Sequence, residues 1–326
     1  MSAQDILVLA ETNQDAVAGI TLEMLGGARQ LAAATGGRVV AVLLGPESAR
    51  HADALKAADR ILVVDDPALA GFSPEAYLAV LAGLVASEQP RAVLLGSTTT
   101  GLDLAPALGV KLNAPVLGGC QRIEARDGAL LVTTSLCAGK LLADVRVDAA
   151  PAVLLILPGA FQAAGEEGQG QVETIPSPVA LEPGAIRFEQ MVLPEAGDVD
   201  ITQQAVLVCV GRGIQQEANM ELAEELAEVL GGAVCASRPI VDQGWLPTTR
   251  QVGKSGMIVK PSLYLALGLS GAPEHLEGMS GSELVIAVNT DPQAPIFDVA
   301  HFGVEMDLLD LVPPLIEAVK ASKGGG

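Results

Sequence analysis

Between Ser237 and Asp307, four clusters set glycines beside hydroxyls, amides and cations: Ser237-Arg238, Gln251-Val252-Gly253-Lys254-Ser255-Gly256, Gly268-Leu269-Ser270-Gly271-Ala272-Pro273-Glu274-His275 and Asn289-Thr290-Asp291. Each borders a strand-like apolar run. Glycines let backbone N–H groups approach phosphates closely, and polar side chains suit the edge of a ring. The chemistry these residues could do together is therefore to hold a dinucleotide.

Taken singly, the motifs say less. Gly211-Arg212-Gly213 lies between a strand-like and a helix-like run, yet Gln216 stands where a dinucleotide fingerprint needs glycine. A pyrophosphate contact from Arg212 and a plain strand-to-helix turn both stay open. Gly253-Lys254-Ser255 imitates the end of a P-loop, but Thr248 occupies the position of its first glycine, which argues against ATP hydrolysis. The turn can still offer amides, a hydroxyl and a cation. Gly268 to Ala272 has the outline of a nucleophile elbow, with Asp291 and His301 following in hydrolase order. The interval from Ser270 to His301 is too short for the strands that would carry the acid and the base. His275 is either a silent structural histidine or a donor to a flavin ring where negative charge grows on reduction. Arg238 has a matching choice, between a surface ion pair and a ring neighbour that favours the reduced, anionic form. On these residues alone the plainer reading of each is the more ordinary.

The elements that must position these groups follow from hydrophobic patterning. With 326 residues the chain can form two domains with real cores. Half of it is hydrophobic, yet only 2% is aromatic, so the interior is Ala, Val, Leu and Ile, as in parallel sheets covered on both faces. Ile6–Ala10, Val39–Leu44, Ile61–Val64 and Ala92–Leu95 read as strands. They alternate with helices over Ile20–Ala34, up to Leu55, and over Glu75–Ala86, and Leu104–Leu112 follows with Pro106 near its start. Arg126-Asp127-Gly128-Ala129 signals a hairpin, and Pro151–Ile156 a late strand closing the first domain. From Ala163 to Asp200 the chain turns Gly-, Glu- and Pro-rich and reads as a linker, suited to swinging one domain against the other. A second strand–helix alternation starts at Ala205–Val210, continues with the helix Asn219–Leu230, and gives further segments at Leu263–Gly268, Leu284–Val288 and Pro295–Val299. A tail helix over Pro314–Lys320 precedes three terminal glycines, expected to be disordered. The expected fold is α/β in two domains, residues 1–194 and 195–326, each a mostly parallel sheet flanked by helices.

The net charge of −20 argues against nucleic acid and anionic membranes as partners. The four cysteines, Cys120, Cys137, Cys209 and Cys235, lack CxxC spacing and read as free thiols in a reducing, cytoplasmic setting. With three histidines and no ligand spacing, no metal centre is expected. The start of the chain lacks the basic region of a signal peptide, and no apolar run is long enough to cross a bilayer.

In order and spacing, Gly211-Arg212-Gly213, Ser237-Arg238 with Val241-Asp242-Gln243-Gly244-Trp245, Gln251–Gly256, Pro261–Met279, Asn289–Asp291, Ala294–Phe297 and Asp307 resemble the alpha subunit of electron-transfer flavoprotein. Ala10-Glu11 and Gly101–Pro106 extend the resemblance over nearly the whole chain. It implies a noncovalent FAD held mainly by the C-terminal domain, and a separate beta subunit completing a heterodimer. By position, Arg212, Ser237, Arg238, Val252, Gly253, Lys254, Ser255, Ser270, Gly271, Ala272, Pro273, Glu274, His275, Asn289, Asp307 and Leu308 match the family's FAD contacts. Arg238 and His275 match those that lie against the ring and tune its potential. The N-terminal domain is expected to be adenine-nucleotide-hydrolase-like, without a nucleotide of its own, despite the turn Thr98-Thr99-Thr100-Gly101.

The implied function is an electron carrier, not a bond-making enzyme. It would take electrons from a flavin-containing dehydrogenase and pass them to a quinone reductase or another redox acceptor, in settings such as fatty acid oxidation. An electron-bifurcating relative that oxidises NADH, with a second FAD in beta, is the alternative, and a flavin-free adaptor on the same scaffold is another. The chain departs from the family at Lys254 (usually Gln), Ser255 (Thr), Pro273-Glu274 (Ile-Gln), Thr290 (Lys) and His301-Phe302 (Asp-Tyr). Lys254 with Glu274 is one candidate for a compensating charge pair.

Overall fold

A computed structural model describes residues 4–13, 16–137, 139, 141–165, 168, 170–181, 184, 186, 188–189 and 199–324. The chain separates into two compact units, residues 1–190 and 191–326. The join expected at 194–195 and the two last glycines lie outside the described residues, as does part of the linker segment.

In the first unit β1 (Ile6–Leu9) leads through a short ribbon, β2 (Thr12–Asn13) and β3 (Ala16–Val17), into α1 (Gly19–Thr35). Then come β4 (Val39–Leu44), a 3₁₀ segment Ser48–Leu55, β5 (Arg60–Val64), α2 (Pro74–Glu88), β6 (Ala92–Gly96) and α3 (Thr99–Leu112). β7 (Val116–Arg126), β8 (Ala129–Leu136), β9 (Leu141–Val147), β10 (Ala152–Ile156) and β11 (Gln171–Ile175) complete one sheet in the order β11-β5-β4-β1-β6-β10-β7-β8-β9. β7, β8 and β9 pair antiparallel and every other pairing in it is parallel. The central strands are buried on both faces, which is why they read as continuous apolar runs. Asp127 and Gly128 take φ of 52° and 77° between β7 and β8, the left-handed pair that a two-residue hairpin demands.

Three expectations need correction here. α3 begins at Thr99, not near Pro106, because the Thr98 hydroxyl caps it by accepting the Gly101 amide at 3.2 Å. Burial of Leu104 and Leu108 then holds the helix through the proline. The strand after Pro151 does not close the first domain: it inserts between β6 and β7, and β11 follows it in the same sheet. The Gly- and Pro-rich stretch is also not all linker, since β11 lies inside it and pairs with β5. Arg60 anchors that edge with two bonds to Glu173, at 2.9 and 3.0 Å, and one to Glu88 at 2.6 Å.

The second unit runs β12 (Val206–Val210), α4 (Met220–Leu230), β13 (Ala233–Ala236), α5 (Arg238–Asp242), β14 (Leu263–Leu267), α6 (Pro273–Met279), β15 (Leu284–Asn289), β16 (Phe302–Glu305) and α7 (Leu308–Gly324). Its five strands are all parallel, in the order β13-β12-β14-β15-β16. Gly231 caps α4 in the left-handed conformation, φ 76°. α7 starts well before the expected Pro314, because the Asp307 carboxylate accepts the Leu309 amide at 2.9 Å and fixes its first turn. Both units are thus mostly parallel sheets flanked by helices.

Each sheet reverses its winding once: between β1 and β6 in the first, and between β12 and β14 in the second. At such a reversal the two connections leave in opposite directions and open a crevice at the carboxyl ends of the strands. In the first unit Glu11 follows β1, and its carboxylate accepts the Thr98 hydroxyl at 2.8 Å. No helix among the described residues is long and apolar enough to cross a membrane.

Candidate functional site

At the reversal between β12 and β14 the loop after each strand begins with glycine. Glycine is needed on both sides: a Cβ on Gly213 would stand 2.6 Å from the Gly268 Cα, and one on Gly211 would stand 2.4 Å from the Gly268 carbonyl oxygen. The Gly213 amide donates to that carbonyl at 3.2 Å, locking the loops backbone to backbone. Gly268 itself has φ of 62°, and Gly271, at 82°, presses against the Ile296 backbone. Side chains at these positions would hold the loops apart.

A cavity of about 660 Å³ opens above them. Its wall brings together Arg212, Ser237, Arg238, Val252, Gly253, Lys254, Ser255, Ser270, Gly271, Ala272, Glu274, His275, Asn289, Asp307 and Leu308. Of the residues expected at the site, only Pro273 is absent from that wall; it occupies the first position of α6. The lining comes from the loops after β12, β13, β14 and β15, with the Gln251–Ser255 segment and the start of α7.

Several polar groups there are already committed. The Gly253 amide donates to Met257 at 3.1 Å and the Lys254 amide to Glu274 at 2.8 Å, so this turn does not present those N–H groups to a ligand. It presents the Lys254 ammonium and the Ser255 hydroxyl, whose oxygen accepts from Gln251 Nε2 at 3.1 Å and whose hydrogen stays free to donate. The amides of Ser270, Gly271 and Ala272 donate to no other described residue. Asn289 braces the same loop by donating to the Leu269 carbonyl at 2.6 Å.

The charges are mixed. Arg212, Arg238 and Lys254 face the cavity with Glu274, Asp291 and Asp307. Lys254 Nζ pairs with Glu277 at 3.4 Å, and not with the candidate Glu274. Arg238 makes the surface ion pair weighed for it, with a side chain 69% exposed and paired with Asp242 at 3.4 Å, and it also lines the cavity. The hydrolase arrangement is not assembled. Ser270 and Asp291 line the cavity, whereas His301 does not, and its Nδ1 accepts the Val285 amide at 2.9 Å.

His275 is buried against a cluster under the cavity floor. Its Nε2 lies 2.9 Å from the Tyr264 hydroxyl and 3.9 Å from the Cys209 sulfur. Cys209 and Cys235 are direct neighbours on β12 and β13. Burial drives the Tyr264 phenol and the Cys235 thiol well above their ordinary pKa values, so both are neutral. His275 Nδ1 is buried without a hydrogen-bond partner, an orphaned polar atom in the wall of a ligand-sized cavity. That orphan, the uncommitted amides of the Ser270 loop and the three cations fit an anionic dinucleotide with a polar ring edge.

Sequence reasoning missed Gln215. It sits at φ 71°, ψ −45°, the centre of a tight turn closed by the Gln216 amide on the Ile214 carbonyl at 2.9 Å. Few non-glycine residues hold this strained conformation, and such outliers gather at functional sites. Gln215 lines the cavity and donates to Asp307 at 3.3 Å. No residue type in its neighbourhood signals that geometry. Gln251, also buried in the wall, was expected within its cluster but not as a brace for Ser255.

Residues 6–180 match the model of the electron transfer flavoprotein domain, and residues 200–280 that of the electron transfer flavoprotein FAD-binding domain. Among similar proteins, "Protein FixB" of Clostridium saccharobutylicum is 34% identical, over 97% of this chain and 96% of its own length. The electron transfer flavoprotein subunit alpha of Thermoanaerobacterium thermosaccharolyticum is 35% identical, over 98% of this chain and 99% of its own. The "Lactate dehydrogenase (NAD(+),ferredoxin) subunit LctC" of Acetobacterium woodii is 33% identical, over 92% of this chain and 73% of its own.

Proposed function

This chain belongs to the electron transfer flavoprotein alpha-subunit family, and on that premise we propose that its second unit holds a noncovalent FAD in the cavity between the β12 and β14 loops. The observation that carries this reading is the convergence of loops at one topological reversal, with uncommitted amides and an orphaned buried imidazole nitrogen in the wall. Bound there, FAD would supply reversible uptake and release of electrons.

The residues divide the work of holding it. The Ser270, Gly271 and Ala272 amides, the Lys254 ammonium, the Arg212 guanidinium and the Ser255 hydroxyl suit the phosphates. Asn289, Asp307 and Gln215 fix the loops and offer polar groups at the cavity edge. Arg238 and His275 would set a cation and a hydrogen-bond donor against the ring, favouring negative charge on it and so raising its affinity for electrons. Val252 and Leu308, both buried, keep that wall apolar.

In this reading the chain is the alpha half of a heterodimer with a beta subunit. It carries electrons from a flavin-containing dehydrogenase to a quinone reductase or similar acceptor, with no bond-making step of its own. The test is to purify the chain with its beta partner, record the absorbance spectrum and titrate anaerobically. One acid-releasable FAD per heterodimer, reduced by a flavin dehydrogenase, is expected. Absence of flavin in an intact heterodimer would overturn the proposal, and two flavins reducible by NADH would assign the bifurcating arrangement instead.

A further inference from the structure

His275 has two ring nitrogens in different surroundings, and the protein must decide which carries the proton. Nε2 faces the Tyr264 hydroxyl at 2.9 Å, and the two rings are tilted by 58° with centroids 6.2 Å apart. Tyr264 is fully buried on β14, so its hydroxyl proton must find an acceptor inside the protein. Besides Nε2 its neighbours are the Cys209 and Cys235 sulfurs, which are weak acceptors. The phenol is neutral and is the better donor of the pair.

Burial weighs against charge on both Cys209 and His275, while their attraction for one another, with Cys235 beside them, opposes it, lowering the thiol and raising the imidazole. A charged imidazolium would have to bury a cationic N–H at Nδ1, where the Val252 backbone is the neighbouring group but no well-formed hydrogen bond closes. A neutral ring accepting at Nε2 meets both demands at once.

We propose that Tyr264 is a positioning residue: by donating its hydroxyl proton to Nε2, it fixes His275 as the neutral Nδ1–H tautomer, with that N–H on the edge of the ring opposite the phenol. His275 is then a directed neutral donor with one orientation of its dipole. Without the phenol the proton is free to move to Nε2, toward the Cys209 sulfur, and the donor turns away. The consequence for electron affinity rests on the flavin reading above; the tautomer does not.

The chain has three histidines, His51, His275 and His301, so ¹⁵N-histidine labelling of this chain alone, assembled with FAD and an unlabelled beta subunit, gives three ring systems, with His275→Gln assigning the one of interest. The wild type is expected to show a protonated Nδ1 and an unprotonated Nε2 at neutral pH. Tyr264→Phe keeps the ring volume and should shift the proton toward Nε2. An Nε2–H ring in the wild type, or an unchanged tautomer in Tyr264→Phe, overturns the proposal.

The flavin potential is the second readout. Tyr264→Phe should lower it, and the double variant with His275→Gln should fall no further than His275→Gln alone, because Tyr264 acts through the histidine. Equal, additive losses would overturn the proposal by showing that the phenol acts independently. A tautomer that switches while the potential stays fixed upholds the phenol's role and refutes the placement of His275 beside the ring. Should Tyr264→Phe fail to fold, Tyr264→Trp, with an indole N–H as alternative donor, is expected to preserve the Nδ1–H signature, and loss of that signature overturns the proposal.

Discussion

Gly268→Ala tests whether the close approach of two loops is what builds the cavity. Gly268 sits at φ 62°, where a side chain costs about 1–2 kcal/mol. Its new methyl would also meet the Gly213 Cα at 2.6 Å and Leu308 Cδ2 at 2.9 Å. Overpacking of this kind costs about 1–3 kcal/mol, so the substitution should lose about 2–5 kcal/mol in total. Two controls separate the terms. Gly231→Ala has a similar φ, 76°, with nothing within 4 Å of the added methyl, and should lose only the conformational part. Gly213→Ala should lose only the packing part, since its methyl would meet the Gly268 Cα at the same 2.6 Å without a left-handed backbone.

The assay is urea unfolding of all three in the same flavin state, paired with flavin-binding titrations. Gly268→Ala should unfold at the lowest urea concentration. Both it and Gly213→Ala should bind flavin more weakly, roughly tenfold for each 1.4 kcal/mol by which the Ser270 loop is displaced. Gly231→Ala should bind normally. If Gly268→Ala is no less stable than Gly231→Ala and binds as the wild type does, the loops are not held by glycine contact and the reasoning fails.

Other expected outcomes follow from ion pairs and one buried acid. Burial, only partly offset by bonds from Thr98 and Gly96, holds the Glu11 pKa above the ordinary carboxylate value. Its contribution is thus fully present below that ordinary value and is lost as pH rises through the raised one; Glu11→Gln should raise the melting temperature at neutral pH and change little in acid. Arg60→Ala should cost about 1–3 kcal/mol by leaving Glu88 and Glu173 unpaired, and hydrogen exchange should accelerate first in β11, which Arg60 ties to the sheet. Lys254→Gln should change stability by less than about 1 kcal/mol, because its pair with Glu277 is half exposed. The same variant should weaken flavin binding measurably; unchanged binding would remove Lys254 from the phosphate site.

The buried strands were legible because a sheet covered on both faces leaves uninterrupted Val, Leu and Ile runs, as at Val39–Leu44 and Val206–Val210. Strands lacking that signature escaped. β13 is a four-residue Ala-Val-Cys-Ala stretch, β16 is an exposed edge, and β11 alternates polar residues inside a Gly-rich stretch. The helices start at Thr99 and Leu308, ahead of Pro106 and Pro314, because the capping oxygens of Thr98 and Asp307 outweigh the restriction each proline imposes. At the site, glycines and hydroxyls announced the loops because their chemistry is local. The γ-turn at Gln215, the Lys254–Glu277 pair and the Tyr264–His275 bond depend on residues that meet only after folding. Sequence spacing carries no trace of them.

The carboxylate of Glu11 gives the first unit a different fate from the second. Where its sheet reverses, the side chain lies against Gly96 and accepts from the residue that caps α3, so it takes up the position at which this topology usually receives a ligand's negative charge. An anion arriving there competes with an acid tethered to the end of β1, whose effective concentration is of order millimolar or higher. It would also have to enter beside a like charge. On the FAD reading, a chain built twice on one topological rule carries one crevice that supplies its own acidic group and one left to recruit its ligand, and loading would be directed to the second without any difference in fold.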